Sequence, residues 1–560
     1  MSALPDAARD KSYPFASTPP TIRLLHDESA AHPFALAVAA AWSCYGSRPA
    51  RVESVLKLMD VGLDDGDELR PHRRSRAQRL YRDLFDAGHH TTFQHANFVF
   101  ILDGVSRLAI WSFFHHHPHY NSEQVSQRYR EVSGKAMVTP GLSERQEAIY
   151  RAATERAIDG YRNLTEILSP GLAERYAKVF PSRAKAAGPE AERRIADAVQ
   201  KRAQEVARYV LPLATPAHLY HTINGLTLLR YYVLANQLDV PAEVRYIVNT
   251  MVAEVLKIDP YFLGAPGYEL DLQILGAEDT IEYEALSGMQ QTIGAPADER
   301  FFDEFDAELG GFDSRLASYN VDAEATLANA VRAVLGRAHD EMTDEDALLA
   351  VLDPARNHYL GHPLFLAMNS KLMQTMNHVP FTFQKRISGA EDAQNQRHRG
   401  TLSSGPVLAS HMRRDPDVIV PHEVASNDQA LEEYQATVRA LWDAKNQLLD
   451  DGVAPEHALY LLPNSHRLRF YETGTLLTYY WKWVKRLCYN AQREIFDTAA
   501  QETAQVRVAL PTIGEFVSGP PCVLRSRAGN KPFCPEGERY CGIPVWRGFD
   551  PDTLVERRIL

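Results

Sequence analysis

Apolar and polar positions alternate along this chain in a pattern that occurs twice. Near the start, TIRLLHD alternates like a short strand and is followed by PFALAVAAAWSCYGSR, an apolar helical run. Past the middle, SRLASYNVD is followed by AEATLANAVRAVLGRAH in the same order. HANFVFILDGVSR, ending at Arg107, has its counterpart in HVPFTFQKRISG, ending at Gly389. Both run His, two residues, Phe-x-Phe, then an apolar-Ser pair, which predicts a period-two strand entering a helix. A third pair carries Leu-Pro and then a long aromatic-rich helix: ARYVLPLATPAHLYHTINGLTLLRYYVL and ALYLLPNSHRLRFYETGTLLTYYWKWV. Three blocks in one order indicate a tandem duplication. Repeat one spans 20–305, repeat two 313–520, and a cysteine-containing tail 521–560. Gly310-Gly311-Phe312-Asp313 is the junction, and a charged helical insertion near 182–206 belongs to repeat one alone.

Composition narrows the class. The 560 residues are 45% hydrophobic and 24% charged, ordinary for a globular protein. Apolar stretches such as Phe34 to Trp42 are too short for a bilayer, so no membrane partner is expected. The opening residues lack the basic start and apolar core of a secretory leader, so a cytoplasmic protein is expected. The net charge of −12 gives no global field for nucleic acid, which is an unlikely partner. An anionic ligand needs a local cluster of donors.

Several clusters qualify. Arg397-His398-Arg399 offers fixed donors and permanent charge, suited to phosphates or an electron-rich ring, or to a solvated turn. In repeat one the matching tripeptide is His115-His116-His117. Adjacent helical histidines do not share a face and Pro118 breaks the geometry, so no metal is expected there. Downstream, Ser126-Gln127-Arg128-Tyr129 supplies a hydroxyl, backbone N–H groups and an arginine, a phosphate cradle or an ordinary helix cap. His89, Thr91 and His95 stand ahead of the alternating strand, and Arg208 and Arg486 are charges in apolar company that need a partner or ligand. Cys522, Cys534 and Cys541 lie among prolines and glycines in the tail; three thiolates and a fourth ligand make a weak zinc candidate, and buried free thiols are the plainer reading.

Together these residues resemble the flavin-dependent thymidylate synthases. That family's signature is Arg-His-Arg, seven residues, then Ser, continuing to Arg-Tyr. The resemblance covers nearly the whole chain, once per repeat, and each repeat keeps a different part. Repeat two keeps Arg397, His398 and Arg399 but has Val407 at the serine position; repeat one keeps Ser126 to Tyr129 after one extra residue. Gln394, three residues before Arg-His-Arg, faces Ser112 in the other repeat; Arg208 faces Leu459; Arg486 faces Ala235; Asn224 faces Thr475. The family's second flavin arginine falls on Leu226 or Leu477, and an expected histidine on Asn490 or Asp239.

The resemblance implies an α+β fold, with a mixed sheet flanked by helices in each repeat and long helices between repeats. It implies FAD, with NADPH and methylenetetrahydrofolate as co-substrates, and reductive methylation of dUMP at a composite site. In that reading Ser126, Gln127 and Arg128 bind the nucleotide phosphate with Arg208 nearby. Gln394 and Arg486 meet the uracil, Arg486 stabilising developing charge. Arg397, His398 and Arg399 hold FAD with His89, Thr91 and Asn224. A homodimer would rebuild the pseudo-tetramer. The alternatives are another pyrimidine or an RNA uridine as substrate, or a nucleotide-binding pseudoenzyme.

Overall fold

The computed structural model describes residues 13–60, 67–132, 137–185, 188–236, 240–288, 298–517 and 519–560. Asp239, one of the two positions for the missing histidine, lies outside them.

Two four-stranded sheets carry the fold, and they are copies. In repeat one β1 (Thr21–Leu24), β2 (Asn97–Ser106), β3 (Asn121–Gln124) and β4 (Pro216–Asn224) lie in the order β1-β2-β4-β3. A small hairpin, β5 (Gly264–Ala265) with β6 (Tyr268–Glu269), follows. In repeat two β7 (Ser314–Tyr319), β8 (Pro380–Ser388), β9 (Leu402–Ser403) and β10 (Arg467–Thr475) take the order β7-β8-β10-β9. Every pair is antiparallel, which corrects the expected mixed sheet. The strand–helix–strand pattern is real, because β2 and β3 run the same way. β4 inserts between them, so parallel strands never become neighbours.

The helices repeat as well. Repeat one has α1 (Pro33–Tyr45), α2 (Glu144–Val179), α3 (Pro189–Ala207), α4 (Gly225–Leu234) and α5 (Ala242–Ile258). Repeat two has α6 (Ala323–Leu335), α7 (Gly389–Asn395), α8 (Asp428–Asp450), α9 (Leu476–Arg486) and α10 (Arg493–Ala509). Helix α3 realises the charged insertion, and among the described residues repeat two has no helix of that length in its place. The apolar-Ser pairs end their strands as N-caps: Ser106 Oγ accepts from Ala109 N and Ser388 Oγ from Glu391 N, both at 3.0 Å. Asn224 caps α4 through Thr227 N at 2.9 Å.

The repeats meet through the two Leu-Pro blocks. Leu213 N donates to Leu462 O and Asn464 N to Leu211 O, each at 2.8 Å, a reciprocal pairing around Pro212 and Pro463. Beside it α2 packs on α8, and Gly160 leaves room for Thr437: a Cβ there would lie 2.2 Å from the Thr437 hydroxyl. Tyr161, Leu211, Tyr434, Trp442 and Tyr460 belong to this shared core. Buried carboxylates complete it symmetrically. Glu243 accepts from Ser106 N at 2.8 Å and from the Tyr460 hydroxyl at 2.9 Å. Its counterpart Glu494 accepts from Ser388 N at 2.8 Å and from the Tyr209 hydroxyl. The tail packs on repeat two, burying Cys522, Val545 and Leu554 in its core.

Candidate functional site

The site forms where the segment 115–130 of repeat one crosses the end of α7 and α9 of repeat two. The register of the edge strands fixes its alignment. Asn121 pairs with Thr222, and Leu402 pairs with Thr473. Counting on from these equivalent pairs brings Ser126 opposite Val407, so the extra residue of repeat one lies before Asn121, in the Pro118–Tyr120 turn.

Ser126 closes a tight turn, its Oγ accepting from Arg128 N at 3.2 Å. Arg128 then reaches across the repeats: its Nη2 donates to Asn490 O at 2.9 Å, and its Nε pairs with Glu205 of α3. Arg486, at the end of α9, donates from Nε to His398 Nε2 at 2.8 Å and from Nη2 to Gln394 O at 2.7 Å. Burial, then the nearby Arg128 and Arg397, lowers Arg486 to about 10. Burial and Arg486 hold His398 well below the usual histidine range, so it is neutral and its Nε2 is free to accept. Cations held this close form a site that an anion stabilises.

The Arg-His-Arg tripeptide therefore divides. His398 points inward as an acceptor, whereas Arg397 and Arg399 are exposed. Arg397 Nη2 donates to Glu123 of repeat one at 2.9 Å, and the Arg399 guanidinium lies 5.4 Å from the Tyr120 ring centre. These two arginines, His115, Tyr120, Ser122 and Thr222 line a groove with about 830 Å³ of empty volume. Tyr120 stacks on His115 at 4.6 Å with the rings 2° from parallel. His117 Nε2 bonds the Tyr231 hydroxyl at 2.7 Å, so the histidine run of repeat one is used in packing.

Behind the groove a narrower pocket, about 420 Å³ of empty volume, holds Gln127 and Arg208 with Arg107 and Asn464. Arg208 is buried, donating to Glu205 O at 3.2 Å and to Ala390 O at 3.3 Å. Asn464 donates to Gln127 Oε1 at 3.2 Å. Gln394 donates to Gln492. Gln127 Nε2 and Gln394 Oε1 are buried with no hydrogen-bond partner among the described residues.

The structure thus brings together Ser126, Gln127, Arg128, Arg208, Gln394, Arg397, His398, Arg399 and Arg486. His89, Thr91 and Asn224 stand elsewhere. Asn224 lies just beyond groove-lining Thr222 and pairs with Asn97, which follows the 3-10 turn His90–His95. His89 and Thr91 are exposed at that same end of the sheet. Among the described residues no hydrogen bond or ring contact joins them to Arg397 or Arg399.

Three features were not read from the sequence. Tyr120 supplies the aromatic floor, Glu205 the counter-charge of Arg128, and a buried ionic network supports the Arg-His-Arg loop. In that network Glu472 accepts from Thr401 at 2.7 Å and Asn395 at 3.1 Å, on either side of the tripeptide. It pairs with Lys385 at 2.7 Å and Lys482 at 2.6 Å, and Lys385 pairs with Glu502 at 2.6 Å. The network's four charges come from two strands and two helices, and no local sequence pattern shows that they meet. Cys522, Cys534 and Cys541 converge in the tail, with Cys488 added from the turn after α9. Among the described residues, no three His, Cys, Asp or Glu side chains close around one point as a single metal ion requires.

An α+β chain with two like repeats and a cationic site between them defines the class. The family model described as "Thymidylate synthase complementing protein" matches residues 25–261 and 315–512, once per repeat, and the chain belongs to that family. It is similar to the flavin-dependent thymidylate synthase of Geobacter sulfurreducens, 28% identical over 234 residues, covering 40% of this chain and 92% of the relative. It is also similar to proteins of the same name from Mycolicibacterium gilvum, 30% identical over 159 residues (28% of this chain, 56% of the relative), and from Mycobacterium sp. strain KMS, 27% identical over 195 residues (34% and 71%). No helix among the described residues is long and apolar enough to cross a membrane.

Proposed function

We propose that the protein methylates dUMP reductively to dTMP, using FAD, NADPH and methylenetetrahydrofolate, at one composite site between its repeats. The observation that carries this reading is the joining of Arg128 from repeat one to the end of α9 in repeat two, beside Arg486. Neither repeat alone holds both arginines.

The residues present fit an anionic nucleotide and a flavin. Arg128, with the Ser126 turn, takes the nucleotide phosphate, and Arg208 adds positive potential from beneath. The unpartnered Gln127 Nε2 and Gln394 Oε1 are a donor and an acceptor of the kind a uracil edge requires. Arg486 stays cationic at neutral pH and stabilises negative charge that develops on the ring. Its orientation is held by His398 Nε2 and Gln394 O. In the groove Arg397 and Arg399 meet the cofactor's phosphates, and Tyr120 and His115 give a flat face. Bound FAD would supply the hydride chemistry that the side chains lack.

His89, Thr91 and Asn224, which among the described residues make no hydrogen bond or ring contact with Arg397 or Arg399, suit a cofactor shared with a second chain, so the active form in this proposal is a homodimer. Leu402 (57% exposed), on the edge strand β9, suits burial against that second chain.

The test is spectroscopic and then catalytic. FAD-loaded protein should change its flavin spectrum on adding dUMP, and should form dTMP with methylenetetrahydrofolate and NADPH. Protein that binds FAD and dUMP but forms no dTMP would overturn the catalytic reading.

A further inference from the structure

The chain contains five cysteines, and four of them line one pocket. Cys488 comes from the turn after α9. Cys522 lies in the short helix Pro521–Arg527, and Cys534 and Cys541 flank the 3-10 turn Gly537–Arg539. Four thiols spread over more than fifty residues of a cysteine-poor chain converge on one enclosure. None is in a disulfide. The wall of the enclosure is largely apolar, made by Pro520, Tyr489, Ile543 and Val545.

We propose that Cys488, Cys522, Cys534 and Cys541 are the four ligands of a [4Fe–4S] cluster. Four thiolates are the ligand set such a cluster takes. Spacing decides between a cluster and a single ion. Tetrahedral zinc with Zn–S bonds of about 2.3 Å draws its sulfurs to a point, roughly 3.8 Å from one another. Here the four cysteines line one pocket, and no three of them close around one point. The apolar wall would shield the inorganic core from water, and Pro521 and Pro535, each next to a ligand cysteine, stiffen the turns that present the thiols.

The pocket also adjoins the site. Asn490 lines it, donates to Arg539 O at 2.5 Å and accepts from Arg128 at 2.9 Å. The cluster would therefore fasten the tail under the residue that anchors Arg128, whether or not the nucleotide is dUMP.

The test uses the full chain, purified without oxygen and with no reconstitution. Iron and acid-labile sulfide are measured directly, because flavin absorption overlaps that of a cluster. The expected result is about four iron and about four sulfide per chain, with a low-temperature EPR signal after dithionite reduction. Cys534→Ser and, separately, Cys541→Ser should each lose most of the iron while keeping the far-UV spectrum of folded protein. About one zinc per chain without sulfide would overturn the cluster, and so would metal-free protein whose four thiols all react with a thiol reagent in the native state.

Discussion

The Nε of Arg486 donates to Nε2 of His398 at 2.8 Å, so the histidine in the Arg-His-Arg tripeptide must remain neutral for the site to stand. It is one of several histidines that burial depresses: His115 falls to about 3, His117, His411 and His466 to about 4, and His221 well below its ordinary value. The unfolded chain takes up protons near pH 6.5, whereas the folded chain refuses them. Stability is therefore full above about pH 6.5 and falls as pH drops toward the folded values, by about 1.4 kcal/mol per pH unit for each proton. Urea unfolding between pH 7.5 and 5.5 should show this loss, and His398→Gln should remove about one proton from the uptake. An unchanged slope in the variant would mean that His398 is protonated in the folded protein.

Arg128 and Arg486 meet within one chain, and this predicts the outcome of mixing. Arg128→Ala should lower kcat/KM by roughly ten- to a hundredfold, as loss of a charged hydrogen bond of about 1.5–3 kcal/mol implies. Arg486→Ala should reduce kcat more than it raises KM. Refolding the two variants together should restore nothing, because each chain lacks one half of its own site. Recovery of a large share of activity in the mixture would place the site between chains.

The duplication was legible because it is carried by strand alternation and by the Leu-Pro blocks, both local in sequence. The complementary losses at Val407, Leu459 and Ala235 point to one composite site, and the structure shows an Arg128–Asn490 contact between the repeats. The antiparallel sheet was not legible, since strand–helix–strand patterning does not say which strand inserts between β2 and β3. Glu205 was hidden for a different reason. It sits in a helix dense with Glu, Arg and Lys, and only the fold tells which of those charges is buried. Cys488 gives no such signal, because it stands far from the tail cysteines along the chain and meets them only once the tail folds back.

Glu205 is buried among Arg128, Arg202 and Arg208. Burial opposes its charge, but the arginines outweigh that and hold it below the usual carboxylate range. Glu205→Gln keeps the shape and removes the only carboxylate that Arg128 pairs with among the described residues. The variant should be less stable, and a ligand phosphate should compensate. dUMP at a saturating concentration should raise Tm more in the variant than in the parent, because it then neutralises arginines that lack a counter-charge. An equal rise in both would separate Arg128 from phosphate binding.

The last prediction compares the two repeats at one place. Lys385, Glu472, Lys482 and Glu502 form a wholly buried ionic network in repeat two. The equivalent positions in repeat one are Leu102, His221, Tyr231 and Met251, where His221 and Tyr231 share a 3.1 Å hydrogen bond. The same scaffold is thus held with charges in one copy and without them in the other. Removing one partner leaves a buried charge unpaired, so Lys385→Met should cost about 3–5 kcal/mol in chemical unfolding. Exchanging all four for the repeat-one residues should cost much less, since nothing charged is left buried. Yet Glu472 also receives Asn395 and Thr401, which hold the two ends of the Arg-His-Arg loop. The fourfold exchange should therefore recover stability without recovering flavin affinity. If FAD binding returned with stability, the network would be a feature of the core alone; if it stayed weak, the charges serve to position Arg397 and Arg399.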